Sequence, residues 1–172
     1  VTDAGGAVAS DTFTLTVNPV DQAPTLNAIA NVTLAEDAAQ QTVSLGGIST
    51  GAANESDTLT LTATSGNLSL IPNPVVAYTS PNATGTLTFT PVADANGTVT
   101  ITVTINDGQS QSNLTTRTFT DTVTPVNDAP TLNAISPVTI NEDAGPRIVN
   151  LSGISSGAAN ESQTLTITAT SS

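Results

Sequence analysis

Residues 98–105 read Thr98-Val99-Thr100-Ile101-Thr102-Val103-Thr104-Ile105, a strict alternation of threonine with a branched aliphatic residue. A strand points successive side chains to opposite faces, so this run makes one apolar face and one hydroxyl face. Threonine suits the solvated pleat because its β-branch stiffens the extended backbone. The same pattern returns at Thr58–Thr64, where Leu59, Leu61 and Ala63 alternate with threonines, and at Thr86–Thr90 around Leu87 and Phe89. Half-buried antiparallel strands follow.

Turn residues punctuate these runs: Gly46-Gly47, Ser65-Gly66-Asn67, Pro72-Asn73-Pro74, Pro81-Asn82, Asp94-Ala95-Asn96-Gly97 and Asn106-Asp107-Gly108. The spacing predicts seven to eight short strands, near 27–35, 41–46, 57–65, 68–71, 75–79, 84–90, 97–106 and 114–124. No helical period is found. Strands of this length at this spacing in about 100 residues make an all-β, Greek-key β-sandwich. Its expected core is Val, Ile and Leu, with Phe89, Phe119 and Tyr78 as the large pieces. Asp121 breaks the pattern. It shares the inward face of Phe119 and Val123, which predicts a wet edge position near Arg117 or a polar contact to a neighbouring unit.

The chain also repeats itself. APTLNAIANVTLAEDAAQQTVSLGGISTGAANESDTLTLTAT from Ala23 returns as APTLNAISPVTINEDAGPRIVNLSGISSGAANESQTLTITAT from Ala129; the offset, 129 − 23, is 106 residues. That period is the size of a domain with its own core, not of a solenoid unit. Residues 12–20 likewise echo 118–126. Residues 1–20 therefore read as the last strands of one unit, 21–126 as a complete unit, and 127–172 as the first strands of a third. The flanking parts expect completion by further copies of the repeat, in the same polypeptide or in neighbouring subunits. Short Pro-containing linkers predict an extended rod of about 40 Å per unit, from strands of roughly ten residues at 3.4 Å each plus the linker.

Composition narrows the function. Fourteen carboxylates face two bases, Arg117 and Arg147, for a net charge of −12. Phosphate contacts need Lys and Arg, so nucleic acid is excluded as a partner, and anionic membrane surfaces are disfavoured. No apolar run is long enough to insert in a bilayer. Histidine, cysteine and lysine are all absent, which removes the usual general bases, thiol nucleophiles, Schiff-base amines and Lys–Asn isopeptide cross-links. The chain reads as no enzyme. A sugar groove would normally carry aromatics, which make up only 2% of the residues.

The acids gather at strand ends and linkers: Asp21, Glu36-Asp37, Glu55, Asp57, Asp94, Asp107, Asp128, Glu142-Asp143 and Glu161. In a sandwich with its termini at opposite poles, these loops meet where consecutive units join. Two carboxylates about 4 Å apart at an effective dielectric of 20 repel by about 4 kcal/mol. A hard cation relieves that repulsion, and oxygen-only ligands without histidine point to Ca²⁺. The alternative is that these loops are acidic simply for solvation.

In their order these motifs resemble the cadherin family and the bacterial cadherin-like and immunoglobulin-like tandem repeats of large surface adhesins and extracellular fibres. In that family an early Glu, an Asp-x-Glu, an Asp-Gly and an Asn-Asp linker before Ala-Pro hold calcium between domains. Here they correspond to Glu36, Asp94-Ala95-Asn96, Asp107-Gly108 and Asn127-Asp128-Ala129-Pro130, more weakly to Asp21-Gln22-Ala23-Pro24. The Asp-x-Asp of the following domain falls on Glu55-Ser56-Asp57 and, in the third unit, on Glu161-Ser162-Gln163. The resemblance implies Ca²⁺ at the joint near 124–130 through Glu36, Asp94, Asn127, Asp128 and Glu161. At the joint near 18–24 it implies Asp21, Glu55, Asp57 and Asp107. The departures at Gln22, Asn96 and Gln163 imply one or two ions per joint. The expected role is a structural or adhesive repeat of an extracellular surface protein or filament, with a cell-surface or glycan target. A spacer or glycan-binding module of a large secreted enzyme is the alternative.

Overall fold

The computed structural model describes residues 1–18 and 20–171; Pro19 and Ser172, which the linker and third-unit readings include, lie outside the described residues. Seven strands form: β1 (Val32–Ala35), β2 (Gln41–Gly46), β3 (Thr60–Ser65), β4 (Val75–Ala77), β5 (Thr84–Phe89), β6 (Gly97–Asn106) and β7 (Leu114–Thr124). They make two sheets, ordered β1-β7-β6-β3 and β2-β5-β4. All pairings are antiparallel except β1 with β7, which run parallel with Val32 opposite Asp121. The chain crosses between sheets from β1 to β2, β2 to β3, β3 to β4 and β5 to β6, the Greek-key connectivity that the strand spacing implies.

The core lies between the sheets. Val99, Ile101, Val103 and Ile105 of β6 face Leu87 and Phe89 of β5, while the β6 threonines point outward. Phe119 and Val123 of β7 and Leu45 of β2 complete the same cluster, and Tyr78 packs at its margin, only partly buried.

Residues 68–71 are a turn, not the strand that sequence suggested. The amides of Leu70 and Ile71 both donate to the Asn67 carbonyl (3.2 and 3.0 Å), and Ser69 N–H donates to Asn67 Oδ1 (3.1 Å). A strand would send the adjacent Leu70 and Ile71 to opposite faces. The turn sends both into the core. Residues 27–31, expected as the start of the first strand, are not strand either. Side-chain and isolated backbone bonds replace a ladder there: Asn27 N–H donates to the Gly46 carbonyl (2.9 Å), and Asn31 Oδ1 accepts from Thr120 N–H (2.9 Å). Strand β3 begins at Thr60 rather than at 57, because Leu59 N–H is taken by Ser80 Oγ at 3.1 Å.

The flanking segments lack the strands of the complete unit. Among the described residues, 1–18 hold only the isolated bridge Thr2–Val8, and 127–171 only Thr131–Ser155. Phe13, Leu15 and Val17 stand at the places of buried Phe119, Asp121 and Val123, yet Phe13 is 89% exposed and Leu15 76%. No neighbouring strand flanks them. A β-strand exists only through its neighbours' hydrogen bonds, so the correct sequence pattern forms no strand there.

Local hooks survive without the sheet. Thr25 Oγ1 donates to the Gly47 carbonyl at 2.7 Å, and Thr131 Oγ1 to the Gly153 carbonyl at 2.8 Å. Gly47 and Gly153 share φ +67, and a Cβ on either would collide with an asparagine side chain, that of Asn27 or Asn133. Both the left-handed backbone and the space require glycine at this turn.

Candidate metal centres at the two joints

At the pole where β1 and β7 end, Glu36 is 1% exposed and its carboxylate is fully engaged. Oε1 accepts from Val126 N–H (2.8 Å) in the linker, and Oε2 accepts from Asn160 Nδ2 (2.7 Å) in the third unit. The same Asn160 amide reaches Asn96 Oδ1 at 3.2 Å. One buried glutamate thus ties the complete unit, the linker and the following segment together.

Beside it, Asp37, Asp94 and Asp128 each bring a carboxylate oxygen within 4.8 Å of the others. The backbone produces this convergence. Asp37 and Asp94 hold φ of 60° and 56°, a left-handed conformation that aspartate tolerates better than most side chains. Asp94 N–H donates to Asp37 Oδ1 at 3.3 Å, joining the two turns. Asp128 enters from the linker, its N–H fixed by Glu161 Oε1 at 2.7 Å. Its Oδ2 and Glu161 Oε2 are buried with no hydrogen-bond partner. Burial, then Glu161, Asp37, Asp94 and Glu36, push the Asp128 carboxyl up from its ordinary value. The Asp128 N–H holds the Glu161 carboxyl below its own, against the opposing effect of burial.

The pole near 18–24 repeats the linker bond but not the cluster: among the described residues only Asp37, Asp94 and Asp128 bring three such oxygens within 4.8 Å of one another. Gln22 N–H donates to Glu55 Oε1 at 2.7 Å, matching the Asp128–Glu161 bond at the same length. Asp57 Oδ1 accepts from Gln109 Nε2, and Gln109 N–H donates to Asp107 Oδ1 at 2.9 Å. Asp107 is 4% exposed; its Oδ2 and that of Asp21 are buried and unpartnered. Burial, then Asp107, Glu55 and Asp57, raise the Asp21 carboxyl.

Buried carboxylate oxygens without partners are costly unless a cation shares them. The donor set is oxygen only, as Ca²⁺ requires, so the residues fit such an ion. Bound there, it would be held by Asp37, Asp94 and Asp128.

The family model of the cadherin-like domain matches residues 20–123, more than half of the chain. The chain belongs to the cadherin-like domain family.

Among solved structures, domains 4 and 5 of the S-layer protein SbsC are similar at 20% identity and a TM-score of 0.40, covering 58% of this chain and 53% of that one. Domains 4–9 of the surface layer protein SbsC follow at 16% and 0.39, covering 81% and 22%. The ASH/PapD-like domain 7 of human CEP192 is similar at 10% and 0.34, covering 70% and 98%. This chain spans about half the length of the first of these and about a fifth of the second. No curated protein matches it.

The roles of the sequence-derived residues divide. Asp94 and Asp128 belong to the three-carboxylate cluster and Glu161 accepts from the Asp128 N–H, whereas Glu36 is spent on hydrogen bonds and Asn127 Oδ1 accepts from Gln163 Nε2 (2.6 Å). Sequence reasoning left Asp37 and Asn160 out of the ligand set. Asp37 was signalled only by its place in Glu36-Asp37, and its counterpart Asp143 shares the left-handed turn, φ 59°. Asp121, in contrast, is no edge residue. It is 0% exposed and neither oxygen has a partner, while Arg117 Nε donates to the Leu26 carbonyl at 2.8 Å instead.

Proposed function

We propose that this chain is a run of structural repeats from an extracellular surface protein or filament, whose consecutive cadherin-like units are locked end to end by Ca²⁺. The observation that carries this reading is the convergence of Asp37 and Asp94 from one unit with Asp128 from the linker, beside a buried, unpartnered oxygen of Glu161 from the next. An ion shared between units stiffens the joint, because either unit swinging away leaves carboxylates repelling without compensation. Extracellular calcium modules bind in roughly the 10⁻⁴–10⁻³ M range, which fills such sites outside cells and empties them inside. Among the described residues no helix is long and apolar enough to cross a membrane.

The partners are further copies of the repeat. Phe13, Val17, Ile140 and Leu165 are exposed at the positions where the complete unit buries Phe119, Val123, Leu34 and Leu59. An adjoining copy covers such a face. A glycan platform finds less support: Phe89 and Phe119 are buried, Tyr78 is partly buried, and exposed Phe13 sits at a core position of the repeat. With no thiol, imidazole or amine side chain available, the unit acts by holding distance rather than by chemistry.

Calcium addition tests this directly. At 10 mM Ca²⁺ and a dissociation constant near 10⁻⁴ M, binding adds about 2.7 kcal/mol to stability. The melting temperature should rise accordingly, and small-angle scattering should show the maximum dimension growing more uniform relative to the chelated chain. Unchanged melting and unchanged scattering at that concentration would refute the proposal.

A further inference from the structure

Asn160 lies in the segment after the linker, yet its side-chain amide is spent on the unit before it. Nδ2 donates to Glu36 Oε2 at 2.7 Å and to Asn96 Oδ1 at 3.2 Å, partners 124 and 64 positions away. A side-chain amide has two N–H donors, so both are used. Glu36 is engaged in the same way: Oε1 accepts from Val126 N–H at 2.8 Å, and the residue is 1% exposed. Its oxygens are therefore unlike Asp128 Oδ2 and Glu161 Oε2, which are buried without partners. The carboxylates short of a partner and the carboxylate that joins the units are different residues.

The distinction matters for the joint with no ion bound. Asp37, Asp94 and Asp128 then push apart the turns and the linker that carry them. A hydrogen bond to a carboxylate is about twice as strong as one between neutral groups, and burial of Glu36 keeps competing water away. We infer that Asn160 is a positioning residue of the joint: clamped between Glu36 and Asn96, its amide holds the following segment on the complete unit when no cation is present. A cation would tighten a joint already made rather than create it. The clamp does not rest on the calcium reading above, since every group in it belongs to the chain.

Amide hydrogen exchange of the whole chain in chelator tests this. The reporter is the Asp128 amide, which donates to Glu161 Oε1 at 2.7 Å, one residue from Asn160. The control is the amide of Ile101, a residue 0% exposed in the core of the complete unit. Asn160→Ala should speed exchange at Asp128 about ten-fold, the loss of one hydrogen bond to a charged group, and leave Ile101 unchanged. Asn160→Asp should act more strongly, because it sets a second carboxylate against Glu36. Adding Glu36→Gln to Asn160→Asp reverses donor and acceptor, restores the parent's net charge, and should return Asp128 exchange close to the parent rate. A general loosening of the fold would not be rescued in this way. Unchanged exchange at Asp128 in Asn160→Ala, or no recovery in the double variant, would overturn the clamp. Neither result bears on calcium binding, which titration of the parent decides separately.

Discussion

Above pH 7 the Asp121→Asn chain should be more stable than its parent by up to about 3 kcal/mol, and the advantage should vanish below about pH 4. The carboxyl is fully buried in β7, opposite Val32 and Val99, with no hydrogen-bond partner on either oxygen. Burial alone pushes its pKa from 3.8 up to about 6. The folded chain therefore holds this proton where the unfolded chain has lost it. A raised carboxylate pKa lowers folded-state stability above pH 6, by about 1.4 kcal/mol for each pH unit that separates the folded from the unfolded value, and costs nothing below 3.8. Stability of the parent should thus climb as the pH falls from about 6 to about 4. Asparagine has the same shape and no charge, so it removes this dependence. Leu15, at the matching place in the preceding unit, shows that the repeat accepts an apolar residue there. Urea midpoints at pH 8 and pH 4 decide the matter. Parallel curves for parent and variant would mean that Asp121 is solvated or paired.

Ile71→Ala should cost about 3 kcal/mol, within the 2–5 kcal/mol of buried Ile truncations. For a unit of about 100 residues that lowers the melting temperature by roughly 12–24 °C. The side chain is 0% exposed and belongs to the central cluster, although it lies in a turn. Leu68, three residues earlier and 59% exposed, is the control: its truncation should stay within about 0.5 kcal/mol. Had 68–71 been a strand, Leu70 and Ile71 would point to opposite faces and only one of them would carry a large loss. A loss within about 0.5 kcal/mol for either Leu70→Ala or Ile71→Ala would contradict the turn.

The joints were readable in the sequence to the extent that each acid lay in a motif of its own. Asp94, Asp107 and Asp128 sit beside turn or linker residues that place them at strand ends. Which acids converge was not readable. Asp37 follows Glu36 directly, and only the left-handed turn sends one into the hydrogen-bond network and the other toward Asp94. Asn160 and Glu36 are 124 positions apart, and no local pattern records that their side chains meet across the joint.

What the sequence determined by itself is everything that closes over short distance. The alternation in β3, β5, β6 and β7 places the inward faces, the 106-residue echo marks the units, and the Thr25–Gly47 hook recurs as Thr131–Gly153 even where no sheet surrounds it. Those features need only neighbouring backbone and one or two side chains. The tertiary structure decided the rest. Residues 147–152 occupy the place of β2, and 12–18 the place of β7, with the same alternation, yet neither is a strand among the described residues. In the complete unit the same patterns bond to β5, and to β6 and β1. A helix satisfies its own backbone within one segment, whereas a strand must borrow donors and acceptors from another, so the pattern names a strand that only assembly can make.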